Sequence, residues 1–150
     1  MKNHPNILLA TVRAATLMLL TLWLPAAQAE QKQVFGEYEV HYILLPTLSL
    51  NAKIANQYGI TRAQDRALVN VSVLDSDGQA VLSQVTGTST NLLGQPQTLV
   101  FDEVREGNAI YYLSLLRHAD EEHHRVVLQI LLPDGNTAEV RFQQLMYWER

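Results

Sequence analysis

Apolar and polar residues alternate along much of the chain after residue 30, with the period of two that is typical of half-buried β-strands. The alternation is clearest between residues 66 and 74, where alanine and valine fall on one face and Asn70 and Ser72 on the other. Other segments are rich in aromatic and β-branched residues. These patterns predict seven strands, over residues 34–45, 66–74, 80–93, 98–104, 109–116, 126–132 and 137–147.

Turn-forming sequences separate the predicted strands. DSDG follows residue 74, EGN occupies residues 106–108, and PDGN at 133–136 places an Asp-Gly pair between two apolar runs, which is a strong hairpin signal. Gly87, inside the third predicted strand, is interpreted as a β-bulge. About seven short strands joined by such turns predict an all-β fold, an immunoglobulin-like antiparallel β-sandwich, with closure into a barrel as the alternative.

One segment departs from the strand pattern. In residues 51–58, Ile54 and Tyr58 recur at helical spacing, Ser49 or Asn51 can cap the first turn, and a glycine follows. We expect one short surface helix here, between the first two predicted strands. Its Ile54 and Tyr58 side would cover an open end of the sandwich.

Residues 1–29 contain the three parts of a secretory signal peptide in the required order. Lys2 and Arg13 supply positive charge without an acidic residue, residues 14–24 form an unbroken apolar run, and AAQA supplies the small residues that signal peptidase requires. We therefore predict cleavage after residue 29 and export out of the cytoplasm. The mature protein would be a single β-sandwich domain of residues 30–150.

A membrane anchor is the alternative to a cleaved signal. The apolar run is much shorter than the roughly 20 residues of a transmembrane helix, so we expect no membrane span in the mature form. The chain contains no cysteine, which argues against a lipid anchor and against disulfides. Stability must therefore come from apolar burial and backbone pairing.

Charge and motifs exclude several classes of function. The predicted cleavage removes two of the 11 basic residues, leaving 9 against 15 acidic residues and a net charge of −6, which argues against a nucleic-acid partner. The sequence contains neither a Gly-x-Ser-x-Gly elbow nor a glycine-rich phosphate loop. We therefore nominate no catalytic residue, and the interpretation leans away from an enzyme.

The densest polar cluster is HADEEHH at residues 118–124, expected in a loop between the fifth and sixth strands. Imidazoles and carboxylates could bind zinc or copper there. The alternative is a solvated loop, which we favour because consecutive strand residues point to opposite faces and no soft ligand is present. We assign no metal site and expect no cofactor. The candidate ligands in the metal hypothesis are His118, His123, His124, Asp120 and Glu122.

Several segments together resemble a known bacterial family of unknown function, domain-of-unknown-function family 4426, whose members are short exported proteins of Gram-negative bacteria. The likeness extends over residues 34–147 and implies a periplasmic location and an immunoglobulin-like sandwich. It implies no catalytic residue, cofactor or substrate. The segments that carry the resemblance are FGEYEVHY at 35–42, YGI at 58–60, RALVNVSV at 66–73, NLLG at 91–94 and EVREGNAIYY at 103–112.

Two hypotheses for function remain. The first is a non-enzymatic binding or structural module of the cell envelope, which contacts another envelope protein or a peptide through a sheet edge or through the C-terminal Tyr147 and Trp148. Those two aromatic side chains could instead seal the core, which we favour. The alternative function is periplasmic handling of zinc or copper through the loop at residues 118–124.

Overall fold

A computed structural model describes residues 31–149, so the predicted signal peptide at 1–29 lies outside the described residues. These residues form nine strands, one α-helix and a 3-10 turn at Thr47–Ser49. None of the described helices is long and apolar enough to cross a membrane. The elements are β1 Gln31–Phe35, β2 Tyr38–Pro46, α1 Ala52–Gln57, β3 Arg66–Leu74, β4 Gln84–Asn91, β5 Pro96–Leu99, β6 Asp102–Glu106, β7 Ala109–Arg117, β8 Glu122–Leu131 and β9 Thr137–Met146.

The strands form two sheets. One has five strands in the order β1-β2-β3-β7-β6, the other has four in the order β5-β4-β8-β9, and all pairs are antiparallel. With β1 set aside, the order β2-β3-β7-β6 corresponds to strands A-B-E-D of an immunoglobulin domain, and β5-β4-β8-β9 corresponds to C′-C-F-G. The predicted immunoglobulin-like sandwich is therefore confirmed, with nine described strands instead of about seven.

The core lies between the inner faces of the two sheets, where the period-two pattern directs the apolar side chains. β3 contributes Val69 and Val71 and β8 contributes Leu128 and Ile130, each with no exposed surface. The aromatic rings of Tyr42 and Phe142 meet across the sandwich with centroids 4.9 Å apart. Burial of these side chains is the main source of stability in a domain without cysteine.

Two predicted strands were wrong, because each predicted range contains parts of two separate strands in the structure. Residues 34–45 contain the β1–β2 hairpin, whose turn uses Gly36 at a φ of +60°. The aromatic and β-branched residues continue through this turn and hide it in the sequence. Residues 98–104 are divided between β5 in the four-stranded sheet and β6 in the five-stranded sheet, and the chain crosses at Val100 and Phe101.

The predicted bulge at Gly87 was also wrong, since the pairing of β4 with β8 continues in register through this residue. Glycine is needed here because the strands are closely packed. A Cβ atom on Gly87 would lie 2.9 Å from Leu128 Cδ2 and 3.2 Å from the carbonyl oxygen of Val127.

The predicted helix is present as α1, but it covers a different surface. The Asn51 side chain caps it by accepting a hydrogen bond from the Lys53 amide, 2.8 Å away. Ala55 is buried against the outer face of the five-stranded sheet, whereas Ile54 is 48% exposed. The helix therefore packs on a sheet face rather than across an open end of the sandwich.

Candidate functional site

The two ends of the sandwich differ in construction. At the end that we call the hairpin end, the chain turns at residues 36–37, 75–78, 107–108 and 133–136. At the other, which we call the cleft end, the β4–β5 turn, the β7–β8 turn and residues 147–149 surround a cleft of about 430 Å³. We name it the His118 cleft, and its lining includes His118, His124, Glu122, Ser89, Asn91, Gln97 and Trp148.

His118 continues the inner face of β7 past the end of the strand, which explains why it is 95% buried, with a relative exposure of 5%. Its Nδ1 lies 2.8 Å from the carbonyl oxygen of Ala119, which can only accept, so Nδ1 carries the proton. Nε2 of the neutral ring then has a lone pair. Among the described residues this buried nitrogen has no hydrogen-bond partner.

At the floor of the cleft, a series of side-chain hydrogen bonds joins Ser89 on β4 to His124 and Glu122 on β8. His124 Nε2 lies 3.1 Å from Glu122 Oε2, and because a carboxylate only accepts, Nε2 donates. Nδ1 of the neutral ring therefore accepts the Ser89 hydroxyl proton at 2.8 Å. Ser89 is 1% exposed and His124 is 4% exposed, so this polar chain closes one end of the apolar core.

Glu122 is the centre of the network. Its Oε2 accepts from the Ala119 amide at 2.7 Å, and its Oε1 accepts from Asn91 Nδ2 at 2.9 Å. Burial acts to raise the pKa of this carboxyl, but the hydrogen bonds from Ala119, Asn91 and His124 outweigh it, and the pKa lies below its usual value. Glu122 is therefore held as an anion.

The network also holds His124 neutral. Burial lowers the pKa of His124, and the nearby His118 lowers it further, although the hydrogen bond to Glu122 acts in the opposite direction. The net shift is downward. At neutral pH the site therefore contains one carboxylate and a neutral imidazole in a defined tautomer.

Ser89, His124 and Glu122 occur in the order of a Ser-His-acid triad, but the geometry does not present a nucleophile. The ring is reversed relative to the serine-protease template, because Nδ1 and not Nε2 faces the serine. With 1% exposure, the Ser89 side chain also offers no surface for a substrate. No local sequence pattern indicates these hydrogen bonds, because Ser89 and His124 are 35 residues apart.

The structure separates the residues of the metal hypothesis. His118 and His124 line one cleft, whereas His123 is exposed on the opposite face of β8, as the alternation of strand residues predicts. Asp120 accepts a hydrogen bond from the Trp148 amide at 2.8 Å. Within residues 31–149, no group of three His, Cys, Asp or Glu side chains is arranged to hold a metal ion.

The C-terminal residues form a strap over the cleft end. Trp148 Nε1 donates to the carbonyl oxygen of His118 at 3.4 Å, and the Ser49 hydroxyl donates to Glu149 at 2.6 Å. Tyr147 and Trp148 nevertheless remain 53% and 38% exposed. The sequence favoured sealing of the core by these aromatics, but neither is buried in it.

Gln97 joins the two sheets beside the cleft. It lies on β5 of the four-stranded sheet, and its amide accepts from the Arg117 backbone N–H at 3.3 Å and donates to the Leu115 carbonyl at 3.5 Å. These are backbone groups of β7, which β6 pairs only as far as Leu113. The Gln97 side chain thus makes the hydrogen bonds to the end of β7 that a neighbouring strand would otherwise make.

The fold and this end of the molecule define an immunoglobulin-like β-sandwich domain with a polar cleft at one end. The family described as "Domain of unknown function (DUF4426)" matches residues 32–149. The chain belongs to the DUF4426 family. A crystal structure of a DUF4426 family protein from Pseudomonas aeruginosa PAO1 is 26% identical, with a TM-score of 0.73 over 82% of this chain and 98% of that chain.

Two further solved structures share the fold at lower identity. A copper-bound variant of FetP from uropathogenic Escherichia coli strain F11 is 12% identical, with a TM-score of 0.60 over 81% of this chain and 97% of that one. The 'as isolated' form of FetP of the same strain, expressed recombinantly in the periplasm of E. coli BL21(DE3), is 11% identical, with a TM-score of 0.57 over 81% of this chain and 96% of that chain. No curated protein matches this chain.

Proposed function

We propose that this protein is a non-enzymatic binding module of the cell envelope, exported to the periplasm, and that it contacts a protein partner through the cleft end. The predicted signal peptide supports the location. The observation that carries the proposal is the surface around the His118 cleft. Four large apolar side chains are exposed there, namely Leu92 at 62%, Leu93 at 83%, Tyr147 at 53% and Trp148 at 38%.

This surface has the composition of a protein interface. Aromatic residues are enriched in such interfaces, and clustered exposed apolar groups mark protein contact sites. The β4–β5 turn that carries Leu92 and Leu93 is held from below by Asn91, whose Oδ1 accepts from the backbone N–H groups of Leu93 and Gln95. The leucines are therefore exposed on a rigid turn.

Site-specific photo-crosslinking in intact cells tests the proposal. A photoreactive residue at Leu93 and one at Trp148 should each crosslink to the same partner protein. The two adducts should therefore have equal mass, and mass spectrometry should identify the partner. The matched control is a photoreactive residue at the exposed Asn136, in the hairpin end. Adducts that form equally well from Asn136, or an absence of adducts from Leu93 and Trp148, would contradict the proposal.

Metal handling is the second candidate function. The buried Nε2 of His118, which lacks a partner among the described residues, favours it, because neutral imidazole nitrogens suit zinc and copper. Both ring nitrogens of His124 are already engaged by Ser89 and Glu122, so a metal would have to displace one of these contacts. The likeness to copper-bound FetP supports only a shared fold.

Calorimetric titration with zinc and with copper at neutral pH tests this second candidate. Tight stoichiometric binding should be lost in His118→Ala and retained in His123→Ala, because His123 points to the opposite, exposed face of β8. If the parent protein releases no heat of binding with either metal, the metal hypothesis is wrong.

A further inference from the structure

A second concave surface lies on the outer face of the five-stranded sheet, away from the His118 cleft. It is a groove of about 300 Å³, which we call the outer-face groove. Its floor consists of outward-facing residues of β3 and β7, one wall is the turn after α1, and the other is the crossover between β5 and β6 with β6 itself. The side chains used below are Leu68, Leu113, Leu115, Tyr58, Ile60, Val100, Asp102 and Val104.

The groove exists because α1 covers only part of the sheet face. Ala55 and Ile60 bury Leu68, but Leu113 and Leu115 on the neighbouring strand are only partly covered. On the far wall, Val100 is 74% exposed in the crossover between the sheets. Most of the named side chains are apolar, and the volume is at the lower end of the range of about 300–1,000 Å³ that is usual for binding pockets.

The charge at the groove is negative. Asp102 lines it and has neither a hydrogen bond nor an ion pair from its side chain to another described residue, and no lysine, arginine or histidine lines the groove. Nearby, Glu106 accepts a hydrogen bond from the Tyr58 hydroxyl. An occupant that complements this surface combines an apolar side chain with a positive charge.

β6 adds a backbone recognition element. It is the last strand of its sheet, so one edge of Asp102–Glu106 has no strand partner among residues 31–149. An extended peptide that pairs with this edge places alternate side chains on the outer face, beside Asp102 and Val104 at the mouth of the groove. We propose that the outer-face groove and the β6 edge bind an extended peptide segment that carries an apolar residue and a lysine or arginine two positions apart, so that both side chains face the groove.

NMR titration of the isotope-labelled exported protein tests the proposal, with its N terminus first established by mass spectrometry. The probe is the acetylated, amidated peptide Thr-Val-Thr-Lys-Thr-Val-Thr, which places both valines and the lysine on one face, and its matched control has glutamate at the lysine position. We expect saturable amide shifts in residues 100–104 and 113–115 with the lysine peptide and none with the glutamate peptide. Equal shifts with both peptides, or none in these segments, would overturn the proposal.

Two substitutions measure separately how much the charge of Asp102 and the apolar side chain of Val100 contribute to peptide affinity. Asp102→Asn should weaken binding roughly threefold, the scale of one exposed ion pair, and Val100→Ser should weaken it by a similar factor. Both positions are on the surface, so the fold is retained. Val34→Ser is the control, because Val34 is 63% exposed outside the groove and should leave the affinity unchanged. Unaltered affinity in Asp102→Asn would contradict the charge complementarity.

Discussion

At the hairpin end, the turns at 75–78 and 133–136 are each stabilised by an aspartate within the turn. Asp75 accepts from the backbone of Asp77 and Gln79, and Asp134 accepts from Asn136. At the cleft end, by contrast, the buried network also joins residues that are distant in sequence, such as Ser89 and His124, which are 35 residues apart. The hairpin end exposes polar turns, whereas the cleft end exposes large apolar side chains around a buried polar network.

This difference shows which end is available for function. Local turn contacts can form in an isolated hairpin, so they require little from the rest of the fold. A network of buried imidazole, carboxylate and amide groups forms only when β4 and β8 have paired in the four-stranded sheet, and each unpaired member is costly. The cleft end therefore requires precise tertiary packing, and its exposed apolar rim is not needed to fill the core.

The largest expected effect comes from removing the centre of the network. Glu122→Ala leaves the His124 ring N–H, the Asn91 amide and the Ala119 backbone N–H without their acceptor, and we expect a loss of about 2–3 kcal/mol in the free energy of unfolding. Chemical denaturation measures it. The matched variant at the hairpin end, Asp134→Ala, should cost clearly less, because the donors in its exposed turn can bond to water.

Removing the hydrogen bonds by which Gln97 joins the two sheets should have an intermediate effect on the free energy of unfolding. Gln97→Ala removes both side-chain bonds to β7, and since these are long and partly exposed we expect a loss of about 1 kcal/mol. Hydrogen exchange of the Arg117 amide should become faster at the same time. Gln143→Ala, on the exposed face of β9, is the control and should lie within about 0.5 kcal/mol of the parent. Equal stability of both variants would show that Gln97 does not join the sheets.

Acid should weaken the cleft end before the hairpin end. The lowered pKa of His124 means that below about 6.5 the unfolded chain takes up a proton that the folded state resists, so stability falls as the pH falls. The lowered pKa of Glu122 adds a second loss that begins near 4.5, whereas the lowered pKa of Asp134 acts only below about 3.8. Stability measured between pH 7.5 and 5 should decline in the parent.

A histidine variant sharpens this pH prediction. His124→Gln should flatten the decline between pH 7.5 and 5, whereas His123→Gln should leave it unchanged, since His123 is exposed. Amide signals of residues 118–124 should change over this range while those of residues 133–136 stay constant. If both regions respond together, the two ends are not independent in their response to acid.

The smallest expected effect on stability comes from the hydrogen bond between Tyr58, at the end of α1, and Glu106, at the hairpin end. The bond from Tyr58 to Glu106 raises the pKa of Tyr58 to about 12, since ionisation would place two negative charges together. Ultraviolet titration should show tyrosines that ionise well after the exposed ones, and Tyr58→Phe should remove part of this late component, because burial also raises the pKa of Tyr112. Because both groups are on the surface, stability should change little. A titration curve unaltered by Tyr58→Phe would contradict this bond in solution.

Strand limits could be predicted where apolar and polar residues alternate regularly and a turn sequence follows, but not where apolar residues continue through a turn. Arg66–Leu74 was predicted with its observed limits because alternation and a following turn agree there. The β1–β2 hairpin was missed because apolar residues continue across Gly36, and β5 and β6 were merged because nothing local marks a change of sheet. Sequence also nominated His124 and Glu122 as candidate ligands, but not their hydrogen-bond partners Ser89 and Asn91.

The sequence by itself determined the all-β class, the DUF4426 family resemblance and the opposite orientations of His123 and His124, because side-chain alternation and motif content are local properties. Only the tertiary structure decided that His118, His124 and Glu122 share a cleft with Ser89, and that α1 covers a sheet face and leaves a groove beside it. Those outcomes depend on which strands become neighbours and which sheet faces meet. Long-range packing sets these relations, and no local pattern records them.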